Sequence, residues 1–168
     1  MTHTRVWRNN RAYIVTTAAL LSAACSESYR STVVQNPVPA VEAALVVSDS
    51  APAVGGTLVV SVQAIAKQGT VGSYTARINF DPAALQFDGE VPMSDKAIRA
   101  SNSLPGLVRI AGAAAAGFTD GQLASYRFVV LRANSARTLA LVVDEIHMIS
   151  RVDAKTTLTV APNRVTSR

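Results

Sequence analysis

The chain has 168 residues, of which 49% are apolar and only 5% aromatic, with a formal net charge of +5. That length holds one domain plus a targeting segment and a tail. Arg5, Arg8 and Arg11 lie in an N-terminal stretch without acidic residues, so 16 basic and 11 acidic side chains reduce to a balance of +2 once they are set aside. The other charges are scattered. No basic cluster is interleaved with aromatics, which excludes a nucleic-acid partner.

The N-terminal arginines precede an apolar run from Ala12 to Leu21, and Ser22-Ala23-Ala24-Cys25 follows. A basic stretch, a short apolar core and small residues before a cleavage point form a secretory signal. The run is shorter than the ~17 residues that a membrane-spanning helix needs. Cys25 is the single cysteine, so no intramolecular disulfide can form. Its setting resembles the bacterial lipobox, in which the cysteine is acylated and becomes the mature N-terminus. Ser22 stands where that pattern has Leu, Val or Ile, and ordinary cleavage after Ala24 is the alternative. The next residues, SESYRSTVVQNPVPA, are polar and carry Pro37 and Pro39, a linker composition that opposes helix. The organisation is a signal peptide over 1–24, a lipidation site and flexible linker over 25–40, a folded domain over 41–161 and a frayed tail over 162–168.

Within the domain, β-rich runs alternate with turn signals. Strands are expected over 43–48, 57–66, 71–80, 107–113, 123–131, 138–143 and 156–160, with shorter ones over 85–87 and 97–100. The separators include Gly55-Gly56, Asp88-Gly89, Pro105-Gly106 and Asp120-Gly121. Leu58, Val60, Val62 and Ala64 share one face of their strand, and Tyr74, Ala76, Ile78 and Phe80 share one face of the next. Ala124, Tyr126, Phe128 and Val130 do the same, as do Leu139, Leu141 and Val143. A period of two with one dry face is how a strand buries one side against a second sheet. After the third run, Asp81-Pro82-Ala83-Ala84-Leu85 reads as one helical turn, with Asp81 capping and Pro82 in the first helical position. The stretch AGAAAAG over 111–117, bounded by glycine, reads as strand end and loop.

Gly56-Thr57-Leu58-Val59-Val60-Ser61-Val62 precedes Val71-Gly72-Ser73-Tyr74-Thr75-Ala76-Arg77-Ile78-Asn79-Phe80-Asp81-Pro82-Ala83-Ala84-Leu85-Gln86-Phe87. Gly106-Leu107-Val108-Arg109-Ile110-Ala111-Gly112 and Gly121-Gln122-Leu123-Ala124-Ser125-Tyr126-Arg127-Phe128 follow. A glycine-led amphipathic strand, an aromatic-Asp-Pro-x-x-Leu corner, a second glycine-led strand and a Gly-x-Leu-Ala start, in that order, resemble a cohesin domain from Val41 to Val160. The resemblance implies an all-β fold, a jelly-roll-like antiparallel β-sandwich of about nine strands. It also implies an outer sheet face that grips a dockerin, a calcium-binding helical module on another protein. The single copy departs from multi-cohesin scaffolds. Because the sandwich superfamily also contains carbohydrate-binding modules, polysaccharide binding is an alternative partner. A structural envelope lipoprotein is a third reading.

By alternation, Ser73, Thr75, Arg77 and Asn79 project away from the core on the strand that belongs, in cohesins, to the partner-binding sheet. Arg109 faces the same way. A polar row with arginines suits hydrogen-bonded recognition of carboxylates; any sandwich also needs a solvated outer face. A sugar platform would need exposed rings, yet Trp7 falls in the signal and Tyr74, Phe80, Tyr126 and Phe128 fall on the buried parity, with Phe87 packing as well.

Catalysis finds little support. His147 is the only histidine beyond His3. On a strand the adjacent Asp144 and Glu145 would point opposite ways, so Asp144-Glu145-Ile146-His147 reads as an exposed turn. No zinc ligand set, phosphate loop or dockerin-type calcium loop is present in the sequence. The expectation is a non-catalytic binding module with no metal and no cofactor, exported and anchored at the cell surface or outer membrane through Cys25, or else periplasmic or secreted.

Overall fold

The two-residue rhythm of the chain becomes ten strands in the computed structural model, which describes residues 40–166. In chain order they are β1 (Val41–Val47), β2 (Thr57–Ala66), β3 (Val71–Asn79), β4 (Leu85–Glu90), β5 (Ile98–Leu104), β6 (Leu107–Ala113), β7 (Gln122–Val130), β8 (Ala140–Met148), β9 (Leu158–Val160) and β10 (Arg164–Val165). One sheet has the order β10-β1-β2-β7-β4, with β9 also on β1; the other has the order β5-β6-β3-β8. The signal segment, Cys25 and the linker as far as residue 39 lie outside the described residues.

Alternating side chains from the two sheets meet as the core. Leu58, Val60, Val62, Tyr126, Phe128 and Val130 come from the first sheet, and Tyr74, Ile78, Val108, Ile110, Val143 and Ile146 from the second; all are buried. Phe80 packs edge-on against Phe128 at 5.3 Å, and Phe87 against the same ring at 5.6 Å. The all-β sandwich and the buried parity of β2, β3 and β7 are as the alternation predicts.

The corner after β3 is a single turn. The Asp81 carboxylate accepts from the Ala83 N–H at 2.9 Å, and the Asp81 carbonyl accepts from the Leu85 N–H at 2.9 Å. The short side chain caps donors that the turn leaves free. Gly106, at φ +76°, makes the β5–β6 turn, and its carbonyl accepts from the Phe80 N–H at 3.0 Å.

Four features depart from the sequence reading. The C-terminal stretch read as a frayed tail supplies β10, which runs parallel to β1 with Val46 opposite Arg164 and Val47 opposite Val165. Ion pairing of Arg164 with Glu42 and the bond from the Thr166 N–H to the Val47 carbonyl hold it. β9 is also parallel to β1, while the remaining pairs are antiparallel. The chain end thus returns along the edge of its own first strand.

The third departure is β8, which continues through Asp144-Glu145-Ile146-His147 to Met148 where a strand end and a turn are expected. Thr75 stands opposite Glu145 and Ala76 opposite Val143, so Asp144 is an extra residue. Such a bulge resets the alternation. Asp144 and Glu145 therefore both face outward, and Ile146 returns to the core. The fourth is β5, which runs on to Leu104 with its apolar parity turned outward.

Candidate functional site

The outer face of β5-β6-β3-β8 is built from residues that alternate away from the core. On β3, Tyr74, Ala76 and Ile78 are buried, while Ser73, Thr75, Arg77 and Asn79 are partly exposed. Arg109 on β6 is exposed and stands directly opposite Arg77. The register thus brings all five residues expected on the face onto it. Thr75 lies opposite Ala111 on one side and Glu145 on the other; Ser73 lies opposite Ala113 and His147.

Arg77 is held by Asp144. Its Nε donates to Oδ2 at 3.0 Å and its Nη2 to Oδ1 at 2.6 Å. This fork geometry fixes a guanidinium better than a point contact can. The pair is about two-fifths exposed on each side, so it contributes little to folding. Its effect is to set charge on the face. Arg109 and Glu145 make no ion pair or side-chain hydrogen bond among the described residues.

The sequence reading expected a short strand over 97–100 but missed the length of β5 and its outward apolar face. Ile98, Ala100, Asn102 and Leu104 project outward, and Ile98 is 78% exposed. Arg99 and Ser101 take the inward parity. An arginine is tolerated there because every part of it is used. Its Nη1 and Nη2 fork onto Asp95 at 2.6 Å each, and its Nε donates at 2.6 Å to the Leu123 carbonyl on β7. The guanidinium also lies 5.5 Å from the centre of the Phe118 ring, a favourable cation–π distance. The Tyr74 hydroxyl donates to the same Leu123 carbonyl at 3.2 Å. Hydrogen bonding from Arg99 holds the Asp95 carboxyl below the usual range. Burial pushes the Tyr74 hydroxyl up to about 12 and raises that of Tyr126 as well. Arg99 thus ties the two sheets together and presents Ile98 and Ala100 to solvent.

Small side chains leave the middle of this face low. Two adjoining depressions of about 630 and 320 Å³ share Thr75, Ala100 and Ala111. Arg77, Arg109, Asn102 and Asp144 border the larger one, and Ile98, Glu145 and His147 the smaller. The arrangement is a shallow trough with an alanine floor and a polar border. Among the described residues no three His, Cys, Asp or Glu side chains gather to hold a metal, and no helix is long and apolar enough to cross a membrane. Tyr74, Phe80, Phe118, Tyr126 and Phe128 are buried and Phe87 is half-buried, so no described tyrosine or phenylalanine ring is fully exposed.

Comparison with known proteins agrees with this architecture. The family model for the cohesin domain matches residues 43–162. The chain belongs to the cohesin domain family. Its fold is similar to that of the second type II cohesin module from the cellulosomal adaptor ScaA scaffoldin of Acetivibrio cellulolyticus, at 12% identity and a TM-score of 0.54, over 76% of this chain and 95% of that one. It is also similar to a non-cellulosomal cohesin from the hyperthermophilic archaeon Archaeoglobus fulgidus, at 18% identity and a TM-score of 0.52, over 75% of this chain and 92% of that one. A third is the sixth cohesin of scaffoldin B of Acetivibrio cellulolyticus, solved in complex with a mutant Cel5 dockerin, at 12% identity and a TM-score of 0.54, over 76% of this chain and 99% of that one. No curated protein sequence matches the chain.

Proposed function

We propose that this protein is a non-catalytic, exported binding module that presents the outer face of β5-β6-β3-β8 to a dockerin-type helical protein partner. One observation carries the reading: β5 turns its apolar parity to solvent. Ile98, Ala100 and Leu104 are exposed beside the polar row of Ser73, Thr75, Arg77, Asn79 and Arg109. Exposed apolar side chains rimmed by polar ones characterise protein-interaction surfaces. Family membership and the dockerin complex of a structural relative support the choice of partner class. The absence of a fully exposed tyrosine or phenylalanine ring among the described residues favours a protein over a polysaccharide surface.

Export and anchoring rest on the N-terminal sequence alone. Arg5, Arg8 and Arg11, the apolar run and Cys25 support a secreted chain acylated at Cys25 and held off the membrane by the 26–40 linker. Such a module would serve cell-surface assembly, polysaccharide-degrading complexes among them.

The test is affinity capture from the secretome of the source organism, with the full exported chain as bait and an Ala111→Arg bait that fills the trough. Dockerin-type modules retained by the first, lost with the second and released by calcium chelation support the reading. Equal retention on both baits, or retention on insoluble glucan alone, overturns it. Mass spectrometry of the mature N-terminus tests the anchor: a diacylated or triacylated Cys25 is expected, and an unmodified N-terminus contradicts it.

A further inference from the structure

Four charged side chains share the outer face of β6, β3 and β8, and their arrangement is polar. Arg109 and Arg77 stand opposite each other on β6 and β3, and Asp144 and Glu145 are consecutive on β8. The bulge at Asp144 puts both carboxylates on the same side of the sheet as the arginines. Arg77 on β3 and Asp144 on β8 neutralise each other through a bidentate pair. That leaves a cation at Arg109 on β6 and an anion at Glu145 on β8, neither ion-paired among the described residues. The other titratable group facing this region is His147, two residues beyond Glu145 and opposite Ser73. Lys155 approaches the β8 edge and is bonded to the Val143 carbonyl.

The register fixes how far apart the two free charges stand. Arg109 lies opposite Arg77, and Glu145 lies opposite Thr75 two residues earlier on β3. Two inter-strand steps of about 4.8 Å and a two-residue offset of about 6.8 Å place their backbones roughly 12 Å apart on a diagonal. The diagonal crosses β3 between Arg77 and Thr75, and beside it Thr75 and its register partner Ala111 form the floor of the trough. In an α-helix about 12 Å corresponds to seven or eight residues, which fall on one helical face.

Resting on the proposed partner-binding role of this face, we infer that the trough selects a helix bearing an acidic and a basic side chain two turns apart, the acidic one over Arg109 and the basic one over Glu145. Small side chains on the flank of that helix lie over Thr75 and Ala111, beside the diagonal. The Arg77–Asp144 pair acts as a neutral spacer that keeps the outer charges from collapsing onto each other. Complementary charges at the two ends also fix the direction of the helix on the sheet, because reversal would set like charges against each other.

The experiment is selection from a phage-displayed helical-hairpin library, randomised on one exposed helix face, against the full chain, the Arg109→Glu chain and the Glu145→Lys chain. Binders retained by Ala111→Arg are removed first, and circular dichroism confirms that each variant is folded. Wild-type protein should enrich helices with Asp or Glu seven or eight positions from Lys or Arg. Arg109→Glu should turn the acidic position basic, and Glu145→Lys should turn the basic position acidic. A selected helix should lose about tenfold in affinity for the Arg109→Glu chain, with recovery when its acidic residue is exchanged for lysine. Trough-dependent binders without this charge pair, or with a preference that Arg109→Glu leaves unchanged, overturn the inference and leave the face intact. If every binder is retained by Ala111→Arg, the reading of the face fails and the inference with it.

Discussion

The ring of Tyr74 on β3 lies over Gly112 on β6, where a Cβ would stand 2.6 Å from the tyrosine Cε1 and 2.9 Å from its hydroxyl oxygen. The two residues are register partners. The absence of a side chain at one is therefore what allows the other to reach the Leu123 carbonyl on the opposite sheet. Gly112→Ala would push the ring off that carbonyl. We expect a loss of about 1–3 kcal/mol, the usual cost of overpacking, measured by denaturant unfolding. An unchanged midpoint would show that the ring moves aside freely.

Phe80 closes the core beside the β3 corner, 8% exposed and edge-on to Phe128. Phe80→Ala should cost about 3–5 kcal/mol through lost burial and the remaining cavity. A neutral effect in the same unfolding assay would mean that the corner is not part of the core.

Alkaline pH should unfold the domain through its tyrosines. Tyr74 ionises at about 12 in the fold because burial disfavours its charged form, against 10.0 when unfolded. A group with a raised native value gives its full stabilisation below the unfolded value and loses it as pH climbs through the native one. Stability contributed by Tyr74 should thus be intact below pH 10 and fall by roughly 3 kcal/mol as pH rises toward 12. Tyr126 shifts in the same direction for the same reason. Near-UV circular dichroism should show the loss, with Tyr74→Phe weakening the pH dependence. Loss of the signal well below pH 10 would contradict this.

Arg77→Glu should leave the fold standing, since the Arg77–Asp144 pair is exposed and such pairs stabilise by at most about 1 kcal/mol. The same change sets a third carboxylate beside those of Asp144 and Glu145, which should weaken partner binding by at least about tenfold in a titration. Unchanged affinity would place the binding surface elsewhere.

Why some of this was legible in the sequence and some was not follows from the range of each signal. β2, β3 and β7 declare themselves because Leu58, Val60 and Val62, or Tyr74, Ala76 and Ile78, repeat at a period of two with polar residues between. The outward placing of Ser73, Thr75, Arg77 and Asn79 follows from the same rhythm. The bulge at Asp144 breaks that rhythm, so the partner of Arg77 and the second half of β8 were hidden behind what reads as a charged turn. β10 has two residues and exists only through a strand more than a hundred positions away, so no local pattern marks it. β5 misleads for a physical reason: its inward Arg99 is neutralised by Asp95 and bonded to Leu123, contacts that a periodicity cannot reveal. The inversion that Arg99 permits is what exposes Ile98 and Ala100.

The most direct test of the account is a map of the contact surface on the isotopically labelled full chain. Amide shifts would be followed by NMR as a dockerin-type module recovered from the secretome is added. The account predicts that perturbations concentrate at Ile98, Ala100, Thr75, Arg77, Arg109, Ala111 and Glu145. Perturbations confined to the outward residues of β1, β2, β7 and β4, with the β5-β6-β3-β8 face unmoved, would contradict it.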